Sequence, residues 1–184
     1  MQKTAIGVLE LTSIAKGIES MDVMLKASKI NIVVSKTICP GKYIIVINGD
    51  AGAVNEAIEK GAASAEKCVL DKLVLPAVHE NLLSALNGRR RDVAYYKPIG
   101  IVELSSITSG ILACDAALKS ANVELLEFKI GMLIGGKSYF IISGDTSSLQ
   151  EAFRTVNKKV DKRRVINSVI ISSPDNDLIK HLFG

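Results

Sequence analysis

Three cysteines and two histidines are this chain's candidates for soft metal ligation and nucleophilic chemistry. Cys39 lies in Lys36-Thr37-Ile38-Cys39-Pro40-Gly41-Lys42, where Pro and Gly predict a tight turn between strands with an exposed side chain. A thiolate is a soft ligand that suits an iron–sulfur cluster or Zn, and Pro directly follows a ligand in some ferredoxin motifs. One thiolate alone cannot hold a cluster. Cys114 falls on an apolar helical stripe, where a free Cys behaves as a small hydrophobe. Cys68 has neither ligand nor nucleophile partners near it in sequence, and His79 and His181 lack Cys, Asp or Glu at metal-ligand spacing. No Ser/His/Asp or Cys/His constellation clusters, so hydrolytic or transfer chemistry is not expected. Gly135-Gly136-Lys137 lacks the spacing of a phosphate loop and does not open a helix.

The elements that must position Cys39 come in two copies. Ile6-Gly7-Val8-Leu9-Glu10-Leu11-Thr12-Ser13 recurs as Ile99-Gly100-Ile101-Val102-Glu103-Leu104-Ser105-Ser106, an offset of 93 residues. That is too long for a solenoid unit and about right for a small domain, so the chain divides into a first domain over 1–88, a linker over 89–97 and a second domain over 98–184. In the first copy, residues 4–11 read as a strand and Ser13 as a helix cap, with Ile14, Ile18, Met21 and Leu25 as the inward stripe of the helix. Strands over 30–37 and 42–48 flank the Cys39 turn. Asp50 opens a second helix with Val54, Ala57, Ile58 and Ala65 inward, and a strand over 69–75 and a short helix over 79–86 follow. The order predicts an α/β sandwich (α+β) of two tandem ferredoxin-like β-α-β-β-α-β domains.

The second copy repeats the stripes as Ile107, Ile111, Cys114, Leu118 and as Leu149, Ala152, Phe153, Val160. The offset grows to 95 across the turn between the middle strands, so the insertion lies where Cys39 is lost. Gly131-Met132-Leu133-Ile134-Gly135-Gly136 replaces it.

Hydrophobic residues make up 48% of the chain, with no Trp, so the core is aliphatic. Net charge is +4, of which Arg89, Arg90 and Arg91 in the linker supply three charges. Without a binding motif or interleaved aromatics they read as a solvated linker, so nucleic acid is not an expected partner. No segment reads as a signal peptide or a membrane span, and three cysteines do not make a disulfide framework; a reducing cytoplasm is the expected setting.

The repeated opening, the Asp-x-x-Leu-Lys helix ends (Asp22 to Lys26, Asp115 to Lys119) and the Pro40-Gly41-Lys42 and Gly135-Gly136-Lys137 turns resemble bacterial microcompartment shell proteins. The doubling resembles their tandem-domain, trimer-forming branch, and Val33 to Lys42 resembles the pore segment of the propanediol-utilisation type. The resemblance implies a non-enzymatic homotrimer that imitates a hexamer, a pseudohexameric tile within a microcompartment in the cytoplasm. It implies that Thr37, Ile38, Pro40 and Gly41, with Met132, Leu133, Ile134 and Gly135, line a central pore. It also implies that three Cys39 thiolates bind one 4Fe-4S cluster, with one iron left without a protein thiolate. Lys26 and Lys119 would lie on the tile edge against other shell proteins, and luminal redox enzymes would be partners. A closed threefold ring does bring three copies of an axial residue together, although three thiolates also suit one Zn. Two rivals stand beside this reading: a tile with a metal-free metabolite pore, and a trimeric ferredoxin-like regulator that binds a small effector.

Overall fold

A computed structural model describes residues 4–88, 98–131 and 135–183. The first domain contains β1 (Ala5–Leu11), α1 (Ile14–Ala27), β2 (Ile30–Ile38), β3 (Lys42–Gly49), α2 (Ala51–Ala65), β4 (Val69–Leu75) and α3 (Glu80–Leu86). The second contains β5 (Ile99–Leu104), α4 (Ile107–Ser120), β6 (Glu124–Ile130), β7 (Ser138–Ser143), α5 (Thr146–Lys159), β8 (Val165–Ile171) and α6 (Asn176–Phe183). Each sheet is antiparallel, in the orders β2-β3-β1-β4 and β6-β7-β5-β8, which is the ferredoxin-like arrangement expected from the element order. The predicted linker 89–97, with Arg89, Arg90 and Arg91, lies outside the described residues, as do Met132, Leu133 and Ile134.

Local chemistry starts the helices. Ser13 and Ser106 accept the amides of Lys16 and Ser109, and Asp50 and Asp145 accept those of Gly52 and Ser148, satisfying otherwise free N-terminal donors. On one face of the first sheet, Leu9, Leu11, Ile45 and Ile47 pack with Met21, Met24, Val54 and Ile58 from the two helices. On the other face, Ile6, Val8, Ile44 and Val46 join Leu82, Leu86 and the α4 residues Ile107, Ile111 and Leu118 in one core shared by both domains. The domains are therefore two folds with one continuous interior.

The expected inward stripe of α1 is corrected by the structure. Of its four residues only Met21 is buried; Ile14, Ile18 and Leu25 are exposed, and Gly17, Ser20, Met21 and Met24 face the sheet instead. The equivalent stripe of α4 is buried throughout. The difference is packing: α4 is covered by its own domain on one side and by β1, β4 and α3 of the first domain on the other, whereas α1, among the described residues, packs on its own sheet and α2. Gly17 lets α1 approach that closely, since a Cβ there would sit 2.7 Å from Tyr43 Cβ. Gly17→Ala should lift the helix off the sheet and cost about 1–3 kcal/mol, read as a lower urea midpoint with an unchanged circular dichroism spectrum.

Candidate functional site

The turn between β2 and β3 contains only Cys39, Pro40 and Gly41, with a cis Cys39–Pro40 peptide and Gly41 at φ 81°. Cys39 carries a free, exposed thiol. Thr37, Pro40 and Gly41 are exposed beside it, whereas Ile38 points inward and is buried. Ile38 packs beneath Gly131, close to where Ile107 of α4 arrives.

The longer turn of the second copy lies directly against this one. The Cys39 amide donates to the Gly131 carbonyl at 3.3 Å, and Gly131 N in turn donates to Lys137 O at 3.0 Å across the base of its own turn. Gly136, at φ 77°, lies against the Cys39 carbonyl; a Cβ there would approach that oxygen to 2.7 Å. Both backbone conformation and space therefore require glycine at this point. Gly135 is exposed next to it. The fold thus brings together the two turns that the repeat had only aligned on paper, and Cys39 stands at their junction.

A recurring ion pair holds each turn from below. Lys42 Nζ lies 3.1 Å from Glu10 Oε1, and Lys137 Nζ lies 3.0 Å from Glu103 Oε1. In the first copy the carboxylate is buried and also accepts from Thr108 Oγ1 of α4 at 3.4 Å, because the second domain covers it. In the second copy Glu103 has no such cover and is more than a third exposed. The sequence reading did not single out this pair, although Glu and Lys recur in register in both copies and would have marked it.

The other candidates take structural places. Cys114 is buried, and desolvation, then the charge of neighbouring Asp115, pushes its thiol well above the usual range. It is therefore a neutral core group, not a ligand. Cys68 is partly exposed and its carbonyl accepts from the Thr12 amide. His79 caps α3 by accepting from the Asn81 amide through Nδ1, while its own amide donates to buried Asp115 at 2.8 Å. His181 is exposed on α6. Among the described residues of one chain, no three His, Cys, Asp or Glu side chains gather to hold a metal.

Lys119 and Lys26 differ in the same way as their helices. Lys119 pairs with Asp115 and donates to the Ala77 carbonyl of the first domain. Among the described residues Lys26 pairs only with Asp22 on its own helix, and it is three-quarters exposed.

The chain matches the BMC domain model twice, over residues 5–78 and 98–174. It is 40% identical to the bacterial microcompartment shell protein PduT of Citrobacter freundii, over 97% of each chain. The crystal structure of a microcompartment protein from Desulfitobacterium hafniense superposes with a TM-score of 0.88 at 38% identity, covering 97% of this chain and 99% of that one. A fused, permuted hexameric shell protein of the RMM microcompartment shares the fold alone, with a TM-score of 0.63 at 18% identity over 85% of this chain and 83% of that one.

The burial pattern predicts the order of thiol reactivity. Metal-free native protein treated with iodoacetamide near neutral pH should be alkylated at Cys39, with Cys114 reacting only after unfolding. Equal labelling of both in the native state, read by peptide mass spectrometry, would contradict the placement of Cys114.

Proposed function

Since the chain belongs to the BMC-domain family, and is a structural shell protein of the bacterial microcompartment, we propose that three copies close into a ring of six domains with Cys39 at its axis. The observation that carries this is a set of apolar residues exposed in one domain whose equivalents are buried between the two. Ile18 is 58% exposed where Ile111 is 0%, Leu25 is 45% where Leu118 is 5%, and Ile32 is 48% where Leu125 is 5%. On the opposite side, Leu178 of α6 is 38% exposed where Leu82 of α3 is 0%. One end of the chain thus offers the helix stripe that docks, and the other offers the surface that receives it.

Repeating the internal contact between chains satisfies both ends. The α1 stripe of one copy then covers the β5–β8 sheet face of the next, including exposed Val169, and α6 covers Ile32. The same operation carries Asp22 and Lys26 to where Asp115 and Lys119 meet His79 and Ala77, so that they reach Asp175 and Ser173 of the neighbouring copy. Such a head-to-tail contact either closes or runs on as a filament, and closure at six domains requires three tandem chains. Ile14, Ile18 and Leu25 are then interface residues, which is why a helix with its own sheet to cover leaves them outside.

Closure brings three Cys39 turns together, with the glycine-rich turns of the second copy between them. We propose that the three thiolates hold one 4Fe-4S cluster there. The exposed thiol, soft as a ligand and held in place through its own amide, supports this reading. A bound cluster would supply one-electron chemistry, with its potential set by solvent exposure and hydrogen bonds to sulfur. The chain's own part is to fix the thiol through the Gly131 contact and to leave the turn tip open. In this reading the tile is non-enzymatic and passes electrons or clusters between the shell exterior and luminal redox enzymes. Its edges, with Lys26 and Lys119 partly accessible, meet other shell proteins.

Two measurements test the two parts separately. Ile18→Glu would bury an unpaired carboxylate in the ring contact and should raise the dissociation constant of the trimer by about 100-fold or more. Native mass spectrometry should then show folded single chains in place of trimers; an intact trimer would place α1 outside the contact. Anaerobically purified protein should contain about four iron and four acid-labile sulfide per trimer. Cys39→Ser should remove both, with the visible absorption, while leaving the trimer intact. Absence of iron after anaerobic reconstitution would leave a metal-free pore for small metabolites.

A further inference from the structure

We propose that the end of α5, with the 3₁₀ turn Lys162–Arg164 that follows it, is a docking site for a carboxylate-rich polypeptide segment. Residues 151–164 contain six cations (Arg154, Lys158, Lys159, Lys162, Arg163, Arg164) and two carboxylates (Glu151, Asp161). The segment therefore carries as much net positive charge, +4, as the entire chain. The equivalent stretch of the first copy, residues 56–68, contains three carboxylates and two lysines. Arg154, Lys158, Lys159, Lys162 and Arg164 stand where the first copy has Glu59, Ala63, Ser64, Glu66 and Cys68.

Apart from Arg164, which bonds Asp71 and Ser106, the fold does not need this charge. Both copies build the same helix, 3₁₀ turn and strand, and α2 completes its last turn with no basic residue. Nor is the charge neutralised within the chain. Arg154 pairs with Glu151, Arg163 with Asp161, and Arg164 with Asp71 of the first domain. Lys158, Lys159 and Lys162 are exposed and make no ion pair or hydrogen bond among the described residues. Three free ammonium groups within five residues, with three ion-paired arginines beside them, form a local positive field that a partner would complement.

The chemistry of the patch selects the partner. Its free cations are lysines, compact point charges without the planar fork that fixes a single placed anion, so they suit many scattered carboxylates along an acidic segment. It lies at a helix end, and Phe153, the aromatic within the segment, packs inward at Gly100 and offers no stacking platform for bases. An acidic peptide, such as a tail of a protein held at the shell, fits both properties. The site rests on the tile reading only for its valency: a trimer would present three copies and gain avidity.

The test uses the intact chain and a fluorescent ten-residue glutamate peptide. Anisotropy should show saturable binding at low salt that weakens steeply as ionic strength rises. The triple variant Lys158→Ala/Lys159→Ser/Lys162→Glu installs the first copy's residues, which this fold already accommodates, and should bind about tenfold more weakly. The reciprocal variant Ala63→Lys/Glu66→Lys, which leaves half-buried Ser64 bonded to Ser20, should add peptide bound per chain. Equal binding by wild type and triple variant would overturn the proposal, as would no binding at low salt or tighter binding of a single-stranded oligonucleotide of equal charge. Stoichiometry is counted per chain and oligomeric state is measured alongside by light scattering. Single chains that still bind the peptide would count against ring closure and support the docking site.

Discussion

Each domain presents an apolar helix stripe on one side and an apolar sheet face on the other, and no domain can cover both by itself. The stripe of α4 is buried because the sheet face of the first domain lies against it, and that face is buried because α4 lies on it, with α3 packed beside α4 and against β6. One contact removes two liabilities and leaves the same two at the ends of the chain. The shared core, the exposure of Ile18 and Leu25, and the difference between buried Glu10 and half-open Glu103 all follow from that single junction. An aliphatic core without tryptophan suits this use, since small interchangeable side chains can pack equally well within a chain and between chains.

The junction also determines where Cys39 stands. Two turns that are distant in sequence become neighbours because α4 docks on β1 and β4 while α3 docks on β6. Their backbones then hydrogen-bond through Cys39 and Gly131. The ion pairs Glu10–Lys42 and Glu103–Lys137 anchor the two turns in the same manner, so that the turns differ only at their tips. The copies thus keep the same Glu–Lys pair, buried in one and half-open in the other, and vary what they present, with a thiol in one and a glycine-rich loop in the other.

Polar contacts across the junction are specific to it. Arg164 bonds Asp71 and Ser106 where the first copy has Cys68, and Asp115 receives the His79 amide together with the Lys119 ammonium. A buried carboxylate with two donors stabilises the junction only if the partner segment arrives in one register. These groups therefore add selectivity to an apolar contact that alone would tolerate sliding.

The sequence by itself determined the doubling, the element order and the candidate turn, because periodicity, caps and turn residues act over a few residues and are repeated. Ser13, Asp50, Pro40 and the strand over 69–75 were legible for that reason. The inward face of α1 was not. Ile14, Ile18 and Leu25 have helical spacing and look like a core stripe, and only the tertiary structure shows that Gly17 and Met24 face the sheet in their place. A hydrophobic stripe encodes burial but not by which surface. The pairing of the Cys39 and Gly131 turns, the burial of Glu10 under Thr108 and the clasp around Asp115 were likewise decided by the docking of two domains. They depend on residues about 36 to 98 positions apart, a separation that no local pattern spans.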